Sequence, residues 1–172
     1  MSGASQIAPY SVAMPKDANF DLPPDDTDER ELLLGWLDFL RGAVRRNIEG
    51  VSEEAAHGRH EGKLLPLAGI VNHLTGVERR WIDGGMLGGP IVRNEEEFFP
   101  GPDLTVADVV LSYRERAEKT NRVVRELPLD APNSRREGTT LRWTLLHLIN
   151  ETARHAGHAD ATRELIDGAT GE

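Results

Sequence analysis

The sequence predicts an all-α protein, a four-helix bundle with long inter-helix loops. Four stretches of roughly 20 residues carry apolar residues at alternating steps of three and four, the repeat of a helix with one buried stripe. No stretch sustains the two-residue alternation of a strand. No internal repeat with a period of roughly 20 to 50 residues is present.

Residues 1–25 hold Pro9, Pro15, Pro23 and Pro24 among scattered acids, without a sustained period, and read as an extended arm. The bundle is expected over 26–168, with 169–172 as a tail. Asp26 or Thr27 can cap a first helix that runs to about Glu49 and ends at Gly50. Its stripe is Leu33, Leu37, Leu40, Val44 and Ile48, with Trp36 beside it. Val51 to Lys63 is a connector with a helical turn at Ser52-Glu53-Glu54. Its histidines, His57 and His60, read as surface or pocket-rim residues.

Pro66 suits the first turn of a second helix that runs to about Leu87. Ile70, His73, Leu74, Val77 and Trp81 line one face of it, and Glu78, Arg79 and Asp83 another. Gly84 to Asp103 holds five glycines and three prolines, which marks a long loop able to shape a site. Phe98 and Phe99 can pin that loop to the bundle, and Glu95, Glu96 and Glu97 read as a solvated acidic triplet.

Thr105 and Asp108 have the spacing of a capping box and open a third helix to about Leu127. Val106, Val109, Tyr113, Arg116, Thr120, Val123 and Leu127 form its stripe. After the polar connector from Pro128 to Gly138, Thr139 or Thr140 caps the fourth helix, Leu141 to Asp167, which stops at Gly168. Leu141, Leu145, Leu148, Thr152, His155, Ala159, Thr162 and Ile166 are its inward stripe.

Composition excludes several function classes. The 172 residues carry a formal net charge of -9, which argues against nucleic acid as a partner because phosphate binding needs a basic face. No apolar run reaches the roughly 18 residues of a membrane span, and the start lacks the basic and apolar regions of a secretory signal. A soluble, cytoplasmic protein is the expectation. The chain has no cysteine, so a metal must be held by His, Asp or Glu, and any thiol chemistry needs a thiol from outside.

The fourth helix carries the chemistry. Glu151 and His155 are one turn apart, His147 lies one turn before Glu151, and His158 falls on the same flank. At about 100° per residue the four project within an arc of roughly 80°. The inward His73 of the second helix can complete a set of two His and one Glu, leaving a fourth position for water or substrate, as in catalytic sites. A Glu and a His that simply face solvent beside the stripe are the plainer alternative.

VNHLTGVERRWIDGGMLG on the second helix and TLRWTLLHLINETARHAGHADATRELIDG on the fourth resemble the DinB/YfiT-like superfamily of four-helix-bundle metalloproteins, in particular its small actinobacterial branch. The resemblance covers roughly Leu32 to Gly168. It implies one divalent metal per chain, zinc or nickel, held by His73, Glu151 and His155. Glu151 stands where many members have His and is similar to the mycothiol-dependent maleylpyruvate isomerase branch; that isomerase carries an extra carboxy-terminal domain, and with the sequence given ending shortly after the fourth helix, isomerase activity is not the expectation. Related members couple low-molecular-weight thiols such as mycothiol to electrophiles.

The leading expectation is therefore a metal-dependent thiol S-transferase that takes a small thiol and an electrophilic substrate. His158 or His147 would accept the thiol proton. Arg154 is the candidate to meet a carboxylate of the thiol cofactor, a solvated arginine being the simpler reading. The alternatives are a hydrolase using metal-bound water and a non-enzymatic, stress-associated binding bundle, with a homodimer exchanging its arms as a further expectation.

Overall fold

A computed structural model of the protein describes residues 22–23, 28–59, 64–93 and 95–171. The arm over 1–25, apart from Leu22 and Pro23, lies outside the described residues, as do Asp26, Thr27 and His60.

Four long helices form, as the apolar periods predict. The helices are α1 (Glu29–Ile48), the short α2 (Glu53–His57), α3 (Leu67–Glu78), α4 (Val106–Glu126) and α5 (Leu141–Asp167). No strand forms among the described residues, only an isolated bridge between Pro132 and Thr140. No helix is long and apolar enough to cross a membrane.

The caps follow local chemistry. Asp28 caps α1, its carboxylate accepting from the amides of Arg30 and Glu31 at 2.9 and 3.1 Å. The Asp26-Thr27-Asp28 run offers three cap-competent side chains, and burial of Leu33 and Leu34 sets which of them meets the first turn. Ser52 caps α2, Thr105 and Asp108 form the expected capping box, and Thr140 rather than Thr139 caps α5. Gly168 ends α5 at φ 77°, a conformation that glycine adopts without penalty.

The expected second helix is continuous but not uniform. From Arg79 to Met86 it widens into a π-helical turn, in which the amide of Leu87 donates to the carbonyl of Ile82. Gly84 and Gly85 explain the weakening there. A Cβ on Gly84 would lie 2.5 Å from the Ile91 side chain, and one on Gly85 would lie 2.7 Å from Asn133 Nδ2. The turn gives up regular helix to let the loops on either side approach its backbone.

The core forms two apolar clusters. One joins Ala43, Val44 and Ile48 to Leu67, Ala68, Ile70, Val71, Leu74, Val109, Tyr113, Ala156 and Ala159; the other joins Leu33, Leu34 and Leu37 to Val77, Ile82, Val124, Leu141, Leu145 and Leu148. The start of α1 thus meets the start of α5, and its end meets the end of α5. Two polar contacts agree with that parallel arrangement: Arg142 with Glu29 near the starts, and Arg163 with the carbonyls of Asn47 and Glu49 near the ends. By the same reasoning α3 and α4 run parallel to each other and antiparallel to the first pair. A parallel neighbour requires the chain to travel back along the bundle, which is why a long connection over residues 87–105, with only a 3-10 turn at Glu95–Phe98, separates them.

Glu78 departs from expectation. The helical period places it on a polar face of the second helix, yet it is buried, with its carboxylate held by the Arg41 guanidinium at 2.8 and 2.6 Å. Arg41 also reaches Asp38 and Asn121. Charge satisfied in this bidentate way can enter a core, and a hydrophobic period does not reveal it.

Candidate metal centre

Where the two apolar clusters meet, His73 of α3 faces Glu151 and His155 of α5. His73 stands between Ile70 of one cluster and Val77 of the other, and the α5 pair stands between Leu148 and Ala156. A ligand atom from each of the three residues lies within 4.8 Å of the others. Nε2 of His73 and Nε2 of His155 are each 3.6 Å from the same oxygen, Oε1 of Glu151. These separations are too long for hydrogen bonds. They match the spacing around a shared ion, since tetrahedral ligands at about 2.1 Å from a metal stand roughly 3.4 Å apart. The donor set, two imidazoles and one carboxylate, suits zinc and its divalent neighbours.

Protonation supports the same reading. Burial pushes the His73 imidazole below its ordinary pKa, with Arg80 adding to the effect and Glu97 opposing it. Burial first, and the nearby His73 second, hold His155 low as well. Both rings are therefore neutral at neutral pH, the state that ligates metal. His155 Nδ1 is buried without a hydrogen-bond partner among the described residues.

The ring of His73 is fixed from behind. Its Nδ1 donates to Glu97 Oε1 at 2.8 Å, which leaves the Nε2 lone pair turned toward Glu151. Because the His73 pKa is lowered, this contact is a hydrogen bond from a neutral ring rather than an ion pair. Arg80 clamps the same carboxylate at 2.6 and 3.0 Å, and Phe98 stacks on the His73 ring at 4.3 Å between centroids.

The reading of Glu95–Glu97 as a solvated triplet is thus corrected at Glu97, whose side chain is 9% exposed; Glu96 is exposed. The cause is the turn Glu95–Phe98, which lies on the glycines of α3. A Cβ on Gly69 would meet the Phe98 carbonyl at 2.0 Å, and one on Gly76 would meet the Glu97 carboxylate at 2.7 Å. Two helical glycines seven apart were the available signal, because glycine is tolerated inside a helix where backbone or side chain must come close. Of the two phenylalanines, Phe98 pins the loop as expected, whereas Phe99 is 42% exposed under the Arg59 guanidinium.

The remaining expected residues flank the three. His147 is half-buried, 4.3 Å from the Trp81 ring and stacked 5.4 Å from the Trp143 ring. Burial lowers its pKa, with Arg136 adding to the effect and Glu151 opposing it. His158 is half-buried, its ring 6.2 Å from that of His155. Arg154 is exposed and makes no ion pair among the described residues. His57 is only partly exposed and tied to backbone, its ring nitrogens at 2.9 and 3.0 Å from the carbonyls of Glu53 and Leu104. That fits a rim residue rather than a ligand.

No curated protein matches the chain. The sequence model described as mycothiol-S-transferase matches residues 32–168, which takes in all five α-helices save the first three residues of α1. With its helical bundle and a His, Glu and His able to hold a metal, this DinB-like chain belongs to the mycothiol-S-transferase family.

Proposed function

We propose that the protein is a metal-dependent S-transferase that joins a mycothiol-like thiol to an electrophile at His73, Glu151 and His155. The observation that carries this reading is the pair of imidazole Nε2 atoms set at equal distance from one carboxylate oxygen in a chain without cysteine. Zinc or nickel bound there would lower the pKa of a coordinated thiol, so that the sulfur is nucleophilic at neutral pH.

The chain's own residues supply the rest. Glu97 and Arg80 hold the His73 ring in one tautomer and orientation. His147, kept neutral by burial, and His158, beside His155, are the bases able to take the thiol proton as the thiol ionises, before sulfur forms its bond to carbon. Arg154 presents an exposed guanidinium on the same flank of α5 for a polar group of the thiol. The apolar clusters above and below the three residues limit water at the reacting atoms.

Elemental analysis of untagged wild type beside His73→Ala is the first test, followed by a panel of electrophiles with and without thiol. One equivalent of metal in wild type, lost in the variant, together with thiol-dependent turnover, is the expected result. Turnover that ignores the thiol would reassign the protein as a hydrolase. No metal in either protein after reconstitution would overturn both enzymatic readings.

A further inference from the structure

A cleft of about 370 Å³ lies between the π-helical turn and the loop that precedes α5. Trp81 and Ile91 are the large apolar residues of its lining, and Arg80, Arg135 and Arg136 are three basic ones. That volume lies at the lower end of the range for small-molecule sites.

The cleft is built, not a chance gap. Asn133, buried at 6% exposure, turns its Oδ1 to the amides of Arg135 and Arg136 at 2.9 and 3.1 Å. Its own amide donates to the Thr139 carbonyl, and that of Ser134 donates to the Gly85 carbonyl at 2.7 Å. The turn bearing both arginines is therefore fastened to the π-helix, and the side-chain-free Gly85 is what lets it approach.

The charge at the cleft is not balanced. Arg80 is spent on Glu97, but the Arg135 guanidinium donates to the carbonyls of Gly88 and Gly89, and that of Arg136 lies over the Trp143 ring at 4.7 Å. Neither makes an ion pair among the described residues. In a chain of net charge -9, two consecutive arginines at one cleft with no ion pair among the described residues are a place for a carboxylate brought by a ligand. The aromatic step of Trp81, Trp143 and His147 then leads from this cleft toward the metal centre, because His147 is one helical turn from Glu151.

We propose that this cleft binds the electrophile, and that the electrophile is a flat, conjugated molecule bearing a carboxylate, held by Arg135 and Arg136 with its planar body against Trp81. The role as electrophile rests on the thiol-transfer reading; the preference for a planar anion does not.

Calorimetric titration of the zinc-loaded protein with cinnamate and with its neutral isostere cinnamamide tests the proposal. Cinnamate should bind about tenfold tighter or more. Arg136→Gln, and more fully Arg135→Gln/Arg136→Gln, should remove that preference, while Arg136→Lys keeps part of it and Arg122→Gln on α4 keeps all of it. Both arginines are exposed, so thermal melts of the variants should match wild type. His73→Ala should still bind cinnamate, which separates the cleft from direct ligation of the carboxylate to metal. Equal affinity for acid and amide, a preference that survives in the double variant, or binding lost in His73→Ala would overturn the proposal. Arginine-dependent binding without any thiol-dependent turnover would instead keep the cleft and sink the transferase reading.

Discussion

Glu97 is the sharpest point at which to strain the proposed metal centre, because it is not itself one of the three candidate ligands. Its carboxylate accepts one bond from His73 Nδ1 at 2.8 Å and two from Arg80 at 2.6 and 3.0 Å. Glu97→Gln keeps the shape and one acceptor but loses the charge that makes His73 Nε2 a stronger donor to metal. Glu97→Ala also leaves a nearly buried imidazole N–H and a half-buried guanidinium without this partner. Losing such support costs about 10- to 100-fold in metal affinity, roughly 1.4–2.7 kcal/mol. The glutamine variant should fall at the lower end and the alanine variant at the upper. Competition for zinc against a chromophoric chelator near neutral pH reads this directly. Zinc affinity in Glu97→Ala within about twofold of wild type, with His73→Ala still abolishing binding, would refute the claim that Glu97 tunes His73.

Four further outcomes are expected. His155→Ala should lose the metal while costing only about 1–3 kcal/mol in urea unfolding, the range of an ordinary partly buried truncation. Glu78→Gln, which leaves the buried Arg41 with only the half-exposed Asp38 as a carboxylate partner, should cost about 2–4 kcal/mol in the same assay, whereas Arg41→Met/Glu78→Leu should recover much of that loss. Gly69→Ala, whose Cβ meets the Phe98 carbonyl at 2.0 Å, should destabilise by about 1–3 kcal/mol and weaken zinc binding by displacing the turn that carries Glu97. For pH, His73, His147 and His155 all have folded pKa values below the ordinary one, so the unfolded chain binds more protons as pH falls through about 6.5. Stability of the metal-free protein should therefore be full above that pH and decline below it, and His147→Gln should make the decline shallower in urea titrations at a series of pH values.

The sequence by itself determined the helices and their inward faces. The three-and-four spacing of Leu141, Leu145 and Leu148, the Thr105/Asp108 box and the stop at Gly168 are local signals, and each was met in the structure. Local spacing also put Glu151 and His155 on one face, since residues four apart on a helix meet wherever that helix packs. What joined them to His73, about eighty residues away, was tertiary: antiparallel packing of α3 on α5 brought the ring to within 3.6 Å of the carboxylate. Glu97, Glu78 and Asp83 were illegible for the same reason. Each is an acid on a helix or loop with no local sign of burial, and each is drawn in by an arginine from elsewhere in the fold: Arg80, Arg41 and Arg116. A hydrophobic period reports which side of a helix avoids water, whereas the pairing of charges depends on which elements become neighbours. The bundle was written in the local pattern, and the polar support of its centre was decided only when the chain closed.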